Sequence, residues 1–345
     1  MAGGTGGHIF PALAVADVLR AEGWRVLWLG NPDSMESRLV PRHGYEIAHL
    51  RFAALRGKGM ARKFLLPFNL LRGLWRAWSI LRQAQPAVVL GMGGYVTFPG
   101  GVMAALLRIP LVIHEQNSIP GLANRVLATV ARRVLTGFPD AFGNGVWTGN
   151  PVRDAIARVP PLYEREIAPD TPLNMLVIGG SLGARALNEI VPRGLALLPP
   201  GTRPRVVHQS GEEHLEALRT TYAETGVEAH CAAFIEDMPG AYAWADIVVC
   251  RAGALTIAEL AAAGVPAILV PFPSAVDDHQ TANARFLASA GGAFLLPQSE
   301  LTPEAVARIG NYRRGQLLEM ARKTHALARP RAAREVADAC KEVAR

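Results

Sequence analysis

The chemistry in this chain is concentrated in two glycine turns and in polar side chains set at the ends of apolar runs. Gly179-Gly-Ser-Leu-Gly-Ala184 follows the apolar run Met175–Ile178 and opens a helical pattern. A glycine turn between strand and helix aims backbone N–H groups at one point, where the helix dipole favours a phosphate. Ser181 adds a hydroxyl donor. A tight turn for close helix packing is the alternative, and the preceding strand favours phosphate. Gly3-Gly-Thr-Gly-Gly-His8 opens an earlier helix in the same way. His8, at the end of that turn, is the residue type for general-base work near neutral pH, the alternative being a structural histidine.

Three further groups stand at strand ends. His114-Glu-Gln-Asn117 ends an apolar run, the edge where open α/β sheets bind ligands, and four consecutive polar side chains are hard to explain as core. Ala252-Gly-Ala-Leu-Thr-Ile-Ala-Glu-Leu260 follows Ile247–Cys250 and starts a helix ending at Gly264. Thr256 and Glu259 have the spacing of a capping box, and Glu259 is equally placed to accept hydrogen bonds from the vicinal hydroxyls of a ribose. Asp277-Asp-His-Gln280 reads as a polar, sugar-contacting loop, since adjacent ligands without a third partner make a poor metal site. Dinucleotide binding is disfavoured: the second strand ends Leu29-Gly30-Asn31 with no acid until Asp33, and there is no GxxxxGK[ST] run.

The elements that position these groups alternate. Buried, β-rich runs at 25–29, 87–90, 110–114, 175–178, 205–208, 247–250 and 267–270 are separated by helical patterns at 11–22, 121–132, 184–198 and 254–263. Continuous apolar strands alternating with helices predict an α/β fold with parallel sheets. At 345 residues the chain exceeds the usual single core. The repeated glycine turn predicts two similar lobes, with Thr148–Arg153 and the proline-rich sequence to Pro172 as hinge. Only Met1 and Ala2 precede Gly3, so the first turn reads as a strand-to-helix turn whose strand is missing upstream.

With 50% hydrophobic and 19% charged residues the chain is globular rather than disordered. Cys231, Cys250 and Cys340, without a CxxC, suit a reducing compartment, and neither an export leader nor an uncharged apolar run long enough to span a bilayer is evident. The net charge of +7 is uneven: residues 1–150 carry +9 and 151–345 carry −2, and Ile47–His114 contains no acid. That is a footprint for an anionic partner. Within it, residues 62–82 mix five basic residues with a broad apolar surface that includes Trp75 and Trp78. Three readings stay open: a core helix with a solvated edge, a helix lying on anionic lipid, or a nucleic-acid surface, for which no recognised motif speaks.

The runs Gly3–His8, Leu55-Arg-Gly-Lys-Gly59, Gly91-Met-Gly-Gly-Tyr-Val96, His114–Asn117, Gly149–Arg153, Gly179–Ala184, His208-Gln-Ser-Gly211, Arg251–Glu259 and Asp277–Asn283 occur in order from residue 3 to about 290. In them the chain closely resembles the MurG family of peptidoglycan glycosyltransferases, which add N-acetylglucosamine to undecaprenyl-diphospho-muramoyl-pentapeptide (lipid I) to give lipid II. The resemblance implies a GT-B fold, two Rossmann-like parallel-sheet domains facing across a cleft. They would span 1–152 (acceptor and membrane side) and 153–330 (UDP-sugar), with a C-terminal helix, 331–345, packing back on the first. It implies UDP-N-acetylglucosamine as donor, with Ser181 and Arg153 near the diphosphate and Ile235 at the uracil. Ala254, Leu255, Thr256, Ile257, Ala258 and Glu259 would surround ribose and phosphate, and Gln280 would meet the sugar. Thr5, Gly6, Gly7 and Asn117 would come from the first domain. His8 is then the candidate base of an inverting displacement without a covalent intermediate. No cofactor or metal site would be obligatory, a divalent ion being at most stimulatory. The basic-aromatic segment would hold the enzyme peripherally on the cytoplasmic side of the cell membrane, with no role for nucleic acid.

The rivals are a UDP-N-acetylglucosamine epimerase of the same fold, a non-catalytic nucleotide-sugar sensor and, more distantly, a dehydrogenase. Leu182 and Ala252 stand where members of the family often carry polar residues; neither change removes a backbone donor.

Overall fold

A computed structural model describes residues 1–52, 60–167, 171–180, 182–310 and 312–344. The chain divides into two compact units, Met1–Arg153 with Pro330–Arg345, and Asp154–Arg329. Leu55–Gly59 and Ser181 lie outside the described residues.

The strands among the described residues are β1 (Leu27–Gly30), β2 (Glu46–His49), β3 (Val89–Gly91), β4 (Leu111–Glu115), β5 (Arg133–Thr136), β6 (Val146–Trp147), β7 (Asn174–Ile178), β8 (Arg205–Gln209), β9 (His230–Ala232), β10 (Ile247–Cys250), β11 (Ala267–Leu269) and β12 (Ala293–Leu295). Every pairing among them is parallel. The α/β expectation holds in both units. The strands that the sequence does not reveal, β2, β5, β6, β9 and β12, are short; most lie at sheet margins and are partly exposed, so they lack a continuous apolar run.

In the second unit one six-stranded sheet runs in the order β12-β11-β10-β7-β8-β9. Val177, Val206, Ile247, Val249 and Ile268 of its strands pack against Leu187, Val191 and Leu195 of the helix Arg185–Ala196. Register places Ile178 opposite both Cys250 and Gln209. Three strands therefore end level, and the turns that leave them at Gly179, Ser210 and Arg251 emerge side by side.

In the first unit the strands form two separate ladders, β1-β2 and β3-β4-β5-β6. Ile9, Leu13 and Val15 of the helix Gly6–Ala21 pack with Trp28, Met92, Val112 and Leu135. The helix Ala332–Val343 joins this core through Val336, Ala337 and Cys340, and its Lys341 and Arg334 hold Glu22 at 2.6 and 2.9 Å. A slot of about 740 Å³, lined by Val26, Trp28, Ala48, Val88 and Leu90 among others, lies beside β1 and β3. Met1 starts a parallel ladder on β3: its amino group donates to Leu90 O and its carbonyl accepts from Met92 N, both at 2.8 Å.

Candidate functional site

The first unit builds its polar centre where β3 and β4 end. Thr5 caps the helix Gly6–Ala21 through its backbone alone, and Gly6 and Gly7 supply first-turn N–H groups with no acidic side chain nearby in the turn. Gly4 N–H donates to one oxygen of Glu36 and Asn31 N–H to the other, each at 3.1 Å. That buried carboxylate pins the turn to the end of β1. The glycines of Gly91–Val96 have a steric reason. A Cβ on Gly93 would stand 2.6 Å from His8 Nδ1, and one on Gly94 would strike the carbonyl of Gly3; both residues have positive φ.

His114, Glu115 and Gln116 are buried, and only Asn117 is half-exposed. The sequence reading of four ligand-facing side chains therefore needs correction: three of them are internal and organise the site. Glu115 accepts from Asn117 N (2.9 Å), Asn117 Nδ2 (3.3 Å), Gly121 N (3.1 Å) and Asn124 Nδ2 (2.8 Å), which fixes the loop carrying Asn117. Gln116 Oε1 lies 2.9 Å from His8 Nδ1, and Gln116 Nε2 lies 3.1 Å from His114 Nδ1. His114 Nε2 is 2.9 Å from the carbonyl of Gly149. Burial lowers His114 to about 4, so its imidazole is neutral at neutral pH. His8 itself is half-buried at the open end of this chain of bonds. Arg153, at the close of the unit, lays its guanidinium 5.1 Å over the ring of Phe10.

In the second unit the turn after β7 holds Gly180 and Gly183 at positive φ, with Gly183 packed against the carbonyl of Ser210 and Gly211 against that of Leu182. Gln209, quoted in the run His208–Gly211 but given no role there, ties two predicted contacts together. Its Nε2 donates to Gly180 O and its Oε1 accepts from Ile235 N, both at 2.9 Å. The Ile235 N–H is thus already engaged, leaving its carbonyl as the backbone group for a ligand. The helix Ala254–Ala263 starts where expected and ends on Gly264 in the left-handed region. Its N-cap is Gly253, so Thr256 stands at the third helical position and the Thr256–Glu259 capping box does not form. Glu259 is buried and accepts from the Tyr242 hydroxyl at 3.1 Å. The side chain of Ile257 is core, whereas Leu255, Thr256 and Ala258 are partly exposed beside the buried Ala254. Gln280 Oε1 accepts from Phe272 N at 2.9 Å, which leaves its amide nitrogen for other partners. Among the described residues no three His, Cys, Asp or Glu side chains cluster as metal ligands.

The helix Met60–Ala84 turns Phe68, Leu71, Trp75 and Trp78 outward, at intervals that put them on one face, while Ala77, Ile80 and Leu81 are buried. Arg72 and Arg76 line a cavity of about 370 Å³ together with His49, Arg51 and Trp75. Among the described residues no helix is long and apolar enough to cross a membrane.

Comparison with known proteins follows this division. Residues 1–136 match the glycosyltransferase family 28 N-terminal domain and residues 174–343 its C-terminal domain. A protein of Dechloromonas aromatica is 65% identical over 345 residues, covering 100% of this chain and 98% of that one. One of Azoarcus sp. is 61% identical, covering 100% and 97%. Both are named UDP-N-acetylglucosamine--N-acetylmuramyl-(pentapeptide) pyrophosphoryl-undecaprenol N-acetylglucosamine transferase. The crystal structure of Acinetobacter baumannii MurG superposes with a TM-score of 0.83 at 42% identity, covering 99% of this chain and 98% of that one. A glycotransferase of kitacinnamycin, at 18% identity and a TM-score of 0.69, shares the fold. Matched at both ends by the family's two domains, and along its whole length by such relatives, the chain belongs to glycosyltransferase family 28.

Proposed function

We propose that this chain is an inverting glycosyltransferase that moves N-acetylglucosamine from UDP-N-acetylglucosamine to the 4-hydroxyl of the muramoyl sugar of lipid I, giving lipid II. The observation that carries the reading is 65% identity over the full 345 residues to a protein named for that transfer. The second unit's turns then hold the nucleotide. The backbone at Gly179–Gly180 with Ser181, and Arg153, meet the diphosphate; the Ile235 carbonyl meets the uracil; and the helix start Ala254–Glu259 meets ribose and phosphate. Gln280 contributes its free amide nitrogen to the sugar. Thr5, Gly6, Gly7 and Asn117 also contribute to donor binding. Helix N-termini stabilise the negative charge that develops on departing UDP, so that no divalent ion is obligatory and one is at most stimulatory.

His8 accepts the proton of the attacking hydroxyl as the sugar–oxygen bond forms and the bond to UDP breaks, through an oxocarbenium-like transition state. The exposed stripe Phe68, Leu71, Trp75 and Trp78, flanked by arginines, lies on the anionic cytoplasmic face of the membrane, where a lipid-linked acceptor resides.

The test is UDP release from UDP-N-acetylglucosamine with and without a short-chain lipid I analogue. Acceptor-dependent release with formation of the disaccharide is expected. Conversion of the donor without acceptor, or binding without turnover by folded protein, overturns the reading. Sedimentation with anionic vesicles tests the membrane face: Trp75→Ala with Trp78→Ala should lower bound protein several-fold, and unchanged binding would remove that surface from the proposal.

A further inference from the structure

We infer that Gln116 is a positioning residue that sets the tautomer of His8, protonated at Nδ1 and bare at Nε2. That Nε2 receives the acceptor's proton rests on the transferase reading above; the tautomer does not.

Two backbone carbonyls fix the direction of every bond in the chain His8–Gln116–His114–Gly149. A carbonyl oxygen only accepts. The side-chain amide of Gln116 has one end 3.2 Å from the carbonyl of its near neighbour His114, so that end is the NH₂ group, and its other hydrogen is directed at His114 Nδ1, 3.1 Å away. The opposite end is then the amide oxygen, which cannot donate. His8 Nδ1, 2.9 Å from it, must therefore carry the hydrogen. At the far end the Gly149 carbonyl, 2.9 Å from His114 Nε2, requires a proton on that nitrogen, and His114 Nδ1 is left as the acceptor that Gln116 needs. Both ends of the chain of bonds impose the same orientation on Gln116, with His114 a neutral imidazole. Burial supplies that condition.

The segment cannot easily adapt. His114 and Gln116 are at most 1% exposed, and the carbonyl of Gln116 is itself held by Asn150 Nδ2 at 3.0 Å. Gly93 approaches His8 so closely that the imidazole is confined from that side as well. Rotating the Gln116 amide to serve the other tautomer would set its oxygen against the His114 carbonyl, costing a hydrogen bond and leaving a buried clash of acceptors.

The chemical consequence is directional. As the acceptor oxygen bonds to the anomeric carbon, its proton passes to His8 Nε2 and the electron pair of the breaking bond leaves with UDP. The imidazolium so formed still donates from Nδ1 to Gln116, so no protein bond has to reverse during the step. A neutral amide, unlike a carboxylate, orients the base without adding a full negative charge beside it.

The test is long-range ¹H–¹⁵N spectroscopy of the ¹⁵N-histidine-labelled chain at neutral pH, with His8 assigned by the signals lost in His8→Ala. The wild-type ring should show a protonated Nδ1 and a bare Nε2. Gln116→Glu keeps the acceptor facing His8 Nδ1 while setting its other oxygen against the His114 carbonyl, so it should keep the tautomer at a cost in stability; Gln116→Leu removes the acceptor and should move the proton to Nε2. In Gln116→Leu, kcat should fall about tenfold to a hundredfold with KM for UDP-N-acetylglucosamine within about twofold. A wild-type His8 protonated at Nε2, or a tautomer unchanged in Gln116→Leu, overturns the assignment. If Gln116→Leu does not fold, the wild-type and Gln116→Glu spectra decide. The predicted tautomer in a protein that shows no acceptor-dependent UDP release supports the assignment and refutes the transferase.

Discussion

Each unit buries a neutral histidine on a strand bonded on both sides, and the two networks end differently. His208 of β8 bonds to Tyr222 Oη at 2.9 Å and Asn188 Oδ1 at 3.1 Å, and Asn188 passes on to the carbonyl of Ser210. All of these groups are internal, and the network closes on the backbone. His114 of β4 begins in the same way on a backbone carbonyl but leads through Gln116 to His8, which is half-exposed on a glycine turn. Burial of polar groups is common to both; an accessible, titratable end belongs to one. The first arrangement specifies packing, and the second holds a reactive group in a set orientation.

The largest test of this contrast is acid. Burial lowers His114 to about 4 and His208 to about 3 from an ordinary 6.5. The unfolded chain therefore binds more protons than the fold below pH 6.5. The stabilisation is complete above that pH and is lost as pH falls towards 4 and then 3. Each histidine should account for about 3 kcal/mol by pH 4.5, read as the difference between urea unfolding at pH 7 and at pH 4.5. A stability that stays flat across this window would refute the neutral buried pair.

Next comes His8→Ala, which should reduce kcat about 10²- to 10⁴-fold while lowering stability by only about 1 kcal/mol, since a single acceptor, Gln116 Oε1, loses its donor. Wild-type-like turnover by the folded variant removes His8 as base. His208→Leu should show the opposite pattern. Stranding Tyr222 and Asn188 should cost about 2–4 kcal/mol, while turnover per folded molecule stays within about threefold. If it matches His8→Ala in kcat, the distinction between the two networks fails. The smallest effect is expected from Thr256→Ala. Because Thr256 is not a cap, the change should alter stability by less than about 0.5 kcal/mol, whereas loss of a true N-cap costs about 1; differential scanning calorimetry separates these.

The sequence marks the turns well and their internal wiring poorly, for a physical reason. Glycine turns, strand ends and the helix at 254–263 are local consequences of sterics and apolar pattern, so Gly3–His8, Gly179–Ala184 and Gly253 can be read from the chain. His8 and Gln116 are separated by 108 residues and meet only because β3 and β4 bring their ends together. Gln209, joining Gly180 to Ile235, depends likewise on the level ends of β7 and β8. The Thr256–Glu259 spacing misleads because the end of β10 places the helix start at Gly253, so that Thr256 falls one turn too far in and Glu259 turns inward to Tyr242. Polar residues in His114–Asn117 signalled importance, but not that three of the four would be internal.

The strand order of the second unit has a kinetic consequence. Strands bonded on both sides are ordinarily the slowest to exchange amide hydrogen. β10 and β7 lie at the middle of the six-stranded sheet, and β12 and β9 at its rims. Deuterium should therefore enter the backbone of β12 and β9 ahead of β10 and β7, so that the most protected amides are those of the two strands that lead into the glycine turn at Gly179 and the helix start at Ala254.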